Sequence, residues 1–425
     1  MAHTAPMMIC WFDSEVWQRI VVQLSHAEPA VYHTVVALSA LHEDSQLTGH
    51  PPRKLDLTNG HHRFALEQYG KAISLLRRRL TSHDPQVREL ALMCCINFTC
   101  FELFRQNYGN AFIHLRNGAK MLDYRRWGSG AMLGHDSRSV TRGHWAPRGS
   151  GTETALAKVF IHLDAHSAQF GQEGPFLRLP LGLDTRSPPI SSIVDVKQRL
   201  DPILSNILRF RRSCEPLLRG EPGDRDLPTA MAEQSRICDV LMAHIAGFDD
   251  FVRTQVISSL SSKERRGMDV MRMQHLALLN ILDTSLVTSE MIYDCYLEEY
   301  QTITRLAGGI MASFQAEYGR RRPTVAMDMG VIPSLFWVCL KCRHQPTRQH
   351  ALELLESWPH REGAYDGGVM ASVVREHMAR EGQLHAEGQS GAIPESARWG
   401  SIDRVDSVHD EADDTSHRPG EGYLP

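Results

Sequence analysis

The sequence predicts an all-α fold: an array of packed helical hairpins with a long internal loop and a disordered C-terminal tail. Three observations predict it. Apolar residues recur at helical spacing through most of the 425 residues, β-branched alternation is scarce, and one helical segment echoes another. The echo is YGKAISLLR (Tyr69–Arg77) against YGNAFIHLR (Tyr108–Arg116), the pattern of stacked hairpins or of two amphipathic helices with one packing solution.

The elements follow in order. Glu15–Leu24 places Val16, Ile20, Val21 and Leu24 on one stripe, and Ala30–Glu43 repeats the pattern. His62–Leu80 is a third helix. Val87–Arg105 is a fourth, with Asp84-Pro85 as its start signal, and Asn107–Arg125 a fifth. From 127 to 152, Gly, Ser, Arg and His replace the apolar period, which predicts a loop or linker. Glu153–Phe170 is helical again, and 171–189 is turn-rich. Further helices are predicted at Ile193–Cys214, Thr229–Val252, Lys263–Gly319 (with at least one break), Ile332–Cys342 and Thr347–Glu356. The domain is drawn from 12 to 380, after an N-terminal extension of residues 1–11. An acidic tail, expected to be disordered, fills 381–425, with Trp399 and Tyr423 as its only aromatics.

Composition narrows the class. Hydrophobic residues make up 42% and charged residues 23%, ordinary for a soluble globular protein. The net charge of −4 gives no overall pull toward nucleic acid or acidic membranes. Nine cysteines, an odd number scattered through apolar runs, argue for buried thiols in an intracellular protein. The N-terminus lacks a signal-peptide pattern, and no run approaches the roughly 20 apolar residues of a membrane span.

The motifs that could carry chemistry read as structural. Cys339 and Cys342 form a Cys-x-x-Cys pair followed by His344 and His350, but a two-Cys, two-His finger needs about twelve residues between its pairs, and here one separates them. A redox pair would sit at a strand-to-helix junction, and the sequence shows no strand before Cys339. His162 and His166 stand four apart on a helix, a metal-gripping spacing, without the glutamate of the zinc-protease motif; they read as two histidines on a half-exposed face. Cys94, Cys95 and Cys100 read as core. The formal sequon at Asn97 lies in an apolar helix, and Gly128–Gly134 misses the dinucleotide spacing. The arginine clusters at Arg77–Arg79, Arg209–Arg212 and Arg320–Arg322 read as solvated helix faces or ends, with phosphate contact or an import signal as alternatives. No catalytic, cofactor-binding, metal-ligating or DNA-binding residue is assigned, and no cofactor is expected.

Five segments resemble one family, the helical regulatory domain of fungal binuclear zinc-cluster transcription factors. Phe12–Glu43 is similar to its start, with Ser-His-x-Glu-Pro-Ala and Ala-Leu-x-x-Leu-His-Glu elements. Ala65–Leu80 resembles its Tyr-x-Lys-Ala-Ile helix, and Cys100–Leu122 its Phe-Glu…His-Leu-x-x-Gly segment. Val159–Gly171 resembles its Leu-Asp-x-Gln…Phe-Gly segment, with His162 and His166 where arginine and glutamine are usual. Val331–Gly367 resembles its Lys-Cys-Arg…Arg-Glu-Gly-x-x-Asp region. The resemblance implies a regulator in the nucleus that acts in transcriptional control, for example of a biosynthetic gene cluster. Its contacts would be with a protein partner, as homo- or heterodimer, or with a small-molecule effector, and not with a membrane. The six-cysteine DNA-binding array of the family is absent from these 425 residues, so DNA is expected only indirectly or through a missing N-terminal module. Two other classes stay open. A helical enzyme or ligand-binding protein on the same fold would converge polar groups such as His162, Asp164 and His166 in an apolar cavity; a scaffold would have no pocket.

Overall fold

The computed structural model describes residues 4, 9–51, 55–84, 86–122, 151–169, 174–181, 189–221, 225–256 and 259–388, with side chains to 382. Thirteen α-helices run through these residues. A π-helical turn (Val16–Ile20) leads into α1 (Val21–Ala27); then come α2 (Pro29–Thr48), α3 (Gly60–Arg79), α4 (Val87–Phe104), α5 (Tyr108–Met121) and α6 (Gly151–Ser167). The second half holds α7 (Ile193–Leu218), α8 (Leu227–Thr254), α9 (Ser262–Asp283), α10 (Leu297–Tyr318), α11 (Ile332–Lys341), α12 (Gln345–Ser357) and α13 (Gly367–Gly388). The predicted break between Lys263 and Gly319 falls after Asp283, where a 3-10 turn (Glu290–Tyr296) precedes α10. The predicted loop over 127–150, with its glycine-rich stretch, and the tail beyond 388, with Trp399 and Tyr423, lie outside the described residues.

Local chemistry sets the helix starts. Glu28 is extended and Pro29 follows it at the first helical position, where the missing amide costs no hydrogen bond, so the chain restarts as α2. Ser261 and Glu264 cap α9 reciprocally. Helix α2 packs on α3, and α4 on α5, so each echoed segment lies in the second helix of a hairpin. Helix α5 meets α6 closely at Gly118: a Cβ there would lie 2.2 Å from the Phe160 ring, which occupies that space.

Two apolar cores result. Trp17, Leu38, Phe98, Phe101, Phe104 and Phe160 belong to the first, built from the π turn to α6; Trp11, Phe210, Phe248, Phe314 and Trp358 belong to the second, built mainly from α7 to α13. Helix α6 serves both, giving Phe160 and Leu163 to one and Ala165 to the other. The chain before residue 12 is part of this packing: Ile9, Cys10 and Trp11 are buried, and Trp11 meets Phe314 edge-on at 5.1 Å. At the other end α13 runs past 380, and Glu381 is buried as the partner of Arg348.

Three two-residue strands, too short to leave a sequence pattern, join the halves. β1 (Val325–Ala326) pairs in parallel with β2 (Arg361–Glu362), and β2 pairs antiparallel with β3 (Tyr365–Asp366). Arg361 is fully buried and donates to the carbonyls of Leu103 and Phe104 (3.1 and 2.7 Å), the open end of α4, while also pairing with Asp366 at 2.9 Å. Glu362 is equally buried and accepts the Gly330, Val331 and Ile332 amides, each at 2.9 Å, at the start of α11. Asp366 accepts the Gly368 and Val369 amides at the start of α13. The Arg-Glu-Gly-x-x-Asp segment is therefore a clamp of three helix ends. Gly330 lies beneath it, where a Cβ would come 2.1 Å from the Trp11 ring.

Candidate functional site

Where the two cores meet, α6 turns His162 and His166 inward, at 5% and 6% exposure, against Asp201 of α7 and Asp328 after β1. This corrects the half-exposed face read from the sequence: a polar pair on a helix gives no sign of acidic partners that arrive from distant segments. His162 Nδ1 lies 3.1 Å from Asp201 Oδ1, and its Nε2 lies 3.1 Å from Asp328 Oδ1. Lys197, four residues before Asp201, puts its Nζ 3.6 Å from Asp201 and 3.2 Å from Asp328. His166 stacks edge-on against His162 at 4.1 Å, with Nε2 3.8 Å from Asp201. The two positions that depart from the resembled pattern are those that meet the aspartates. Asp164 does not join them; its carboxylate accepts the Phe176 and Leu177 amides at 3.0 and 2.8 Å and so holds the 174–181 segment.

The charges in this cluster balance. Burial pushes both aspartates up, but Lys197 and His162 outweigh it, holding Asp201 well below the usual range and Asp328 at about 2. Burial and Lys197 push His162 down, and the aspartates overcome them, so it is raised. His166 is pulled to about 4, by burial first and the neighbouring His162 second, and is neutral near pH 7. Two aspartates thus face one ammonium and one imidazolium. His162, His166 and Asp201 are the one group of metal-capable side chains among the described residues, with ligand atoms within 4.8 Å of one another. For them to take a cation, His162 would have to leave the pairing that already satisfies it, beside a standing Lys197 charge.

The cluster forms a wall between two cavities. On one side a cavity of about 130 Å³ is lined by Lys158, His162, Lys197, Asp201 and Asp328. On the other, a mainly apolar cavity of about 150 Å³ lies between α7, α9 and α11, and His166 reaches it. Arg211 lines this second cavity. Sequence reading placed the Arg209–Arg212 cluster on a solvated face; the structure turns it inward. Arg209 donates to the Pro175 and Leu177 carbonyls, Arg212 to Ala168, and Arg211 lies over the Trp337 ring at 5.3 Å. The polar residues take inward positions of an amphipathic helix, and their spacing cannot say which face is covered. Of the other clusters, Arg77 and Arg78 are exposed while Arg79 pairs with Glu28 and Asp84. Arg320 and Arg321 are exposed, and Arg322 donates to the Ser357 carbonyl.

The Cys339–Cys342 pair sits at the C-terminal end of α11. Both thiols are buried, and burial pushes Cys339 up to about 12. Strand β1 does precede the helix, unlike the sequence reading, but the cysteines lie at the far end of the helix from it, where no amide dipole favours a thiolate. His344 lies 2.9 Å from Thr347 Oγ1, and His350 is largely exposed beside Glu353. The four residues do not converge on one point. Asn97 is fully buried and donates to Thr34 at 2.8 Å, so its sequon is a core feature.

No helix among the described residues is long and apolar enough to cross a membrane. No curated protein and no solved structure matches the chain. One family model does match, over residues 1–152, and its description is fungal specific transcription factor domain. That span takes in the π turn and α1 to α5 and ends as α6 begins, covering the first three of the five resembling segments. The first 152 residues of this chain belong to the fungal specific transcription factor domain family.

Proposed function

We propose that this chain works in the nucleus as a transcription-regulator-like protein, acting through a protein partner and a small-molecule effector instead of through base contacts of its own. The observation that carries the reading is the family match over residues 1–152. The enclosed apolar cavity between α7, α9 and α11, with few polar groups on its wall, supports an effector site. DNA is reached through a DNA-binding partner or module. The self-compensated His162–Asp201–Asp328–Lys197 cluster supports a positioning role over catalysis, because each charged group already has its counter-charge.

The test is a reporter assay in a fungal host. The full chain, fused to an unrelated DNA-binding domain, should change transcription from that domain's site, and a fluorescently tagged chain should accumulate in the nucleus. Transcript profiling of a deletion strain then identifies the regulated genes, with a co-located biosynthetic cluster as the expected set. A fusion with no effect on the reporter, together with cytoplasmic fluorescence and an unchanged transcript profile, overturns the reading.

A further inference from the structure

Leu204 and Leu208 of α7, Ala277 and Leu278 of α9, and Phe336 and Leu340 of α11 give the second cavity an apolar wall. Two polar groups in it lack partners. Arg211 makes no hydrogen bond or ion pair among the described residues; its one close neighbour is the Trp337 ring. The Nδ1 of His166 is buried without a hydrogen-bond partner, and because Nε2 faces Asp201, Nδ1 is left as an acceptor. The other cations on this wall are engaged: Lys341 pairs with Glu290 at 2.8 Å and Arg212 donates to Ala168. A guanidinium in an apolar, enclosed site is costly without a counter-charge, and it matches a carboxylate in a two-pronged geometry. The volume sets the size. A cavity of about 150 Å³ accepts a benzene-sized body.

We infer that this cavity binds a small apolar carboxylic acid, a single ring or short branched chain, with its carboxylate on Arg211. The inference rests on the reading of this cavity as an effector site and names the effector's chemical class.

The test is titration calorimetry on the purified full chain with benzoate and 3-phenylpropanoate, each set against its neutral amide. The acids should bind at least about tenfold tighter than the amides, the preference one buried charge pair gives. Arg211→Gln should erase that preference while circular dichroism stays unchanged. Ala277→Phe, which fills the cavity from α9, should abolish binding of both. If Arg211→Gln misfolds, Ala277→Phe and the acid-to-amide ratio of the unaltered chain still decide the question. Equal binding of acid and amide, acid binding that survives Arg211→Gln or Ala277→Phe, or no binding of either acid at millimolar concentration overturns the inference. Acid binding by a chain that is silent in the reporter assay leaves the inference standing and removes the regulatory reading. A working reporter without acid binding does the reverse.

Discussion

Replacing Glu362 by glutamine changes two atoms and tests the clamp directly. The side chain is fully buried and its two oxygens accept three amides, those of Gly330, Val331 and Ile332, each at 2.9 Å, with His360 Nε2 3.0 Å from Oε1. Glutamine keeps one oxygen and presents an NH2 group in place of the other. Since Oε2 accepts two of the amides and Oε1 one, at least one buried N–H then faces a donor. A buried donor left unmet costs about 1–3 kcal/mol. The lost negative charge at the start of α11 removes up to about 2 kcal/mol more. A total near 4 kcal/mol, spread over the unfolding entropy of a unit this large, lowers Tm by roughly 5 °C. The assay is thermal unfolding followed by circular dichroism, with Glu353→Gln on the exposed face of α12 as control. A Glu362→Gln midpoint within about 1 °C of that control refutes the argument that this carboxylate holds the helix end.

Acid should destabilise the protein early. Burial holds His42 and His166 at about 4 and His275 at about 3, against an ordinary value near 6.5, so the unfolded chain takes up these protons first. Their stabilisation is full above pH 6.5 and falls by about 4 kcal/mol per pH unit down to about pH 4. His162, raised by its aspartates, runs the other way: its share is full below 6.5 and is lost as pH climbs through its folded value. A Tm that is flat between pH 7 and 5 would contradict the burial of these rings. The thiols offer a second check. Cys295 is exposed, whereas Cys339 and Cys342 are buried, so a native-state alkylation experiment read by mass spectrometry should label Cys295 and leave that pair unmodified until denaturant is added. Labelling of Cys339 at the rate of Cys295 would refute the assignment of the pair to the core.

The helices were legible because periodicity and start signals are local. Pro29 after an extended Glu28 and the apolar stripe from Val87 onward act within a few residues of themselves, and the structure begins α2 and α4 there. The strands were not legible, since two residues cannot display an alternation. The candidate site was half legible. His162 and His166 were visible as an i, i+4 pair, but their meaning depends on Asp201 and Asp328, which only the fold brings within 3.1 Å. Arg211 was visible only as one of a run of arginines. Whether such a run faces water or a cavity depends on α9 and α11, and no local pattern on α7 reports their position.

The reach of a likeness and the reach of a folding unit differ here. The family match ends at residue 152, yet the carbonyls that close α4 are held by Arg361, and the Tyr108 hydroxyl donates to the Ala364 carbonyl at 3.1 Å. A fragment cut at the edge of the match would leave those groups, and the second-core face of α6, without cover. The first half of the chain is the recognisable text, and the second half is the binding that keeps its pages in order. Any event that disturbs the cavity between α7, α9 and α11 is therefore one short clamp away from the helices that the family shares.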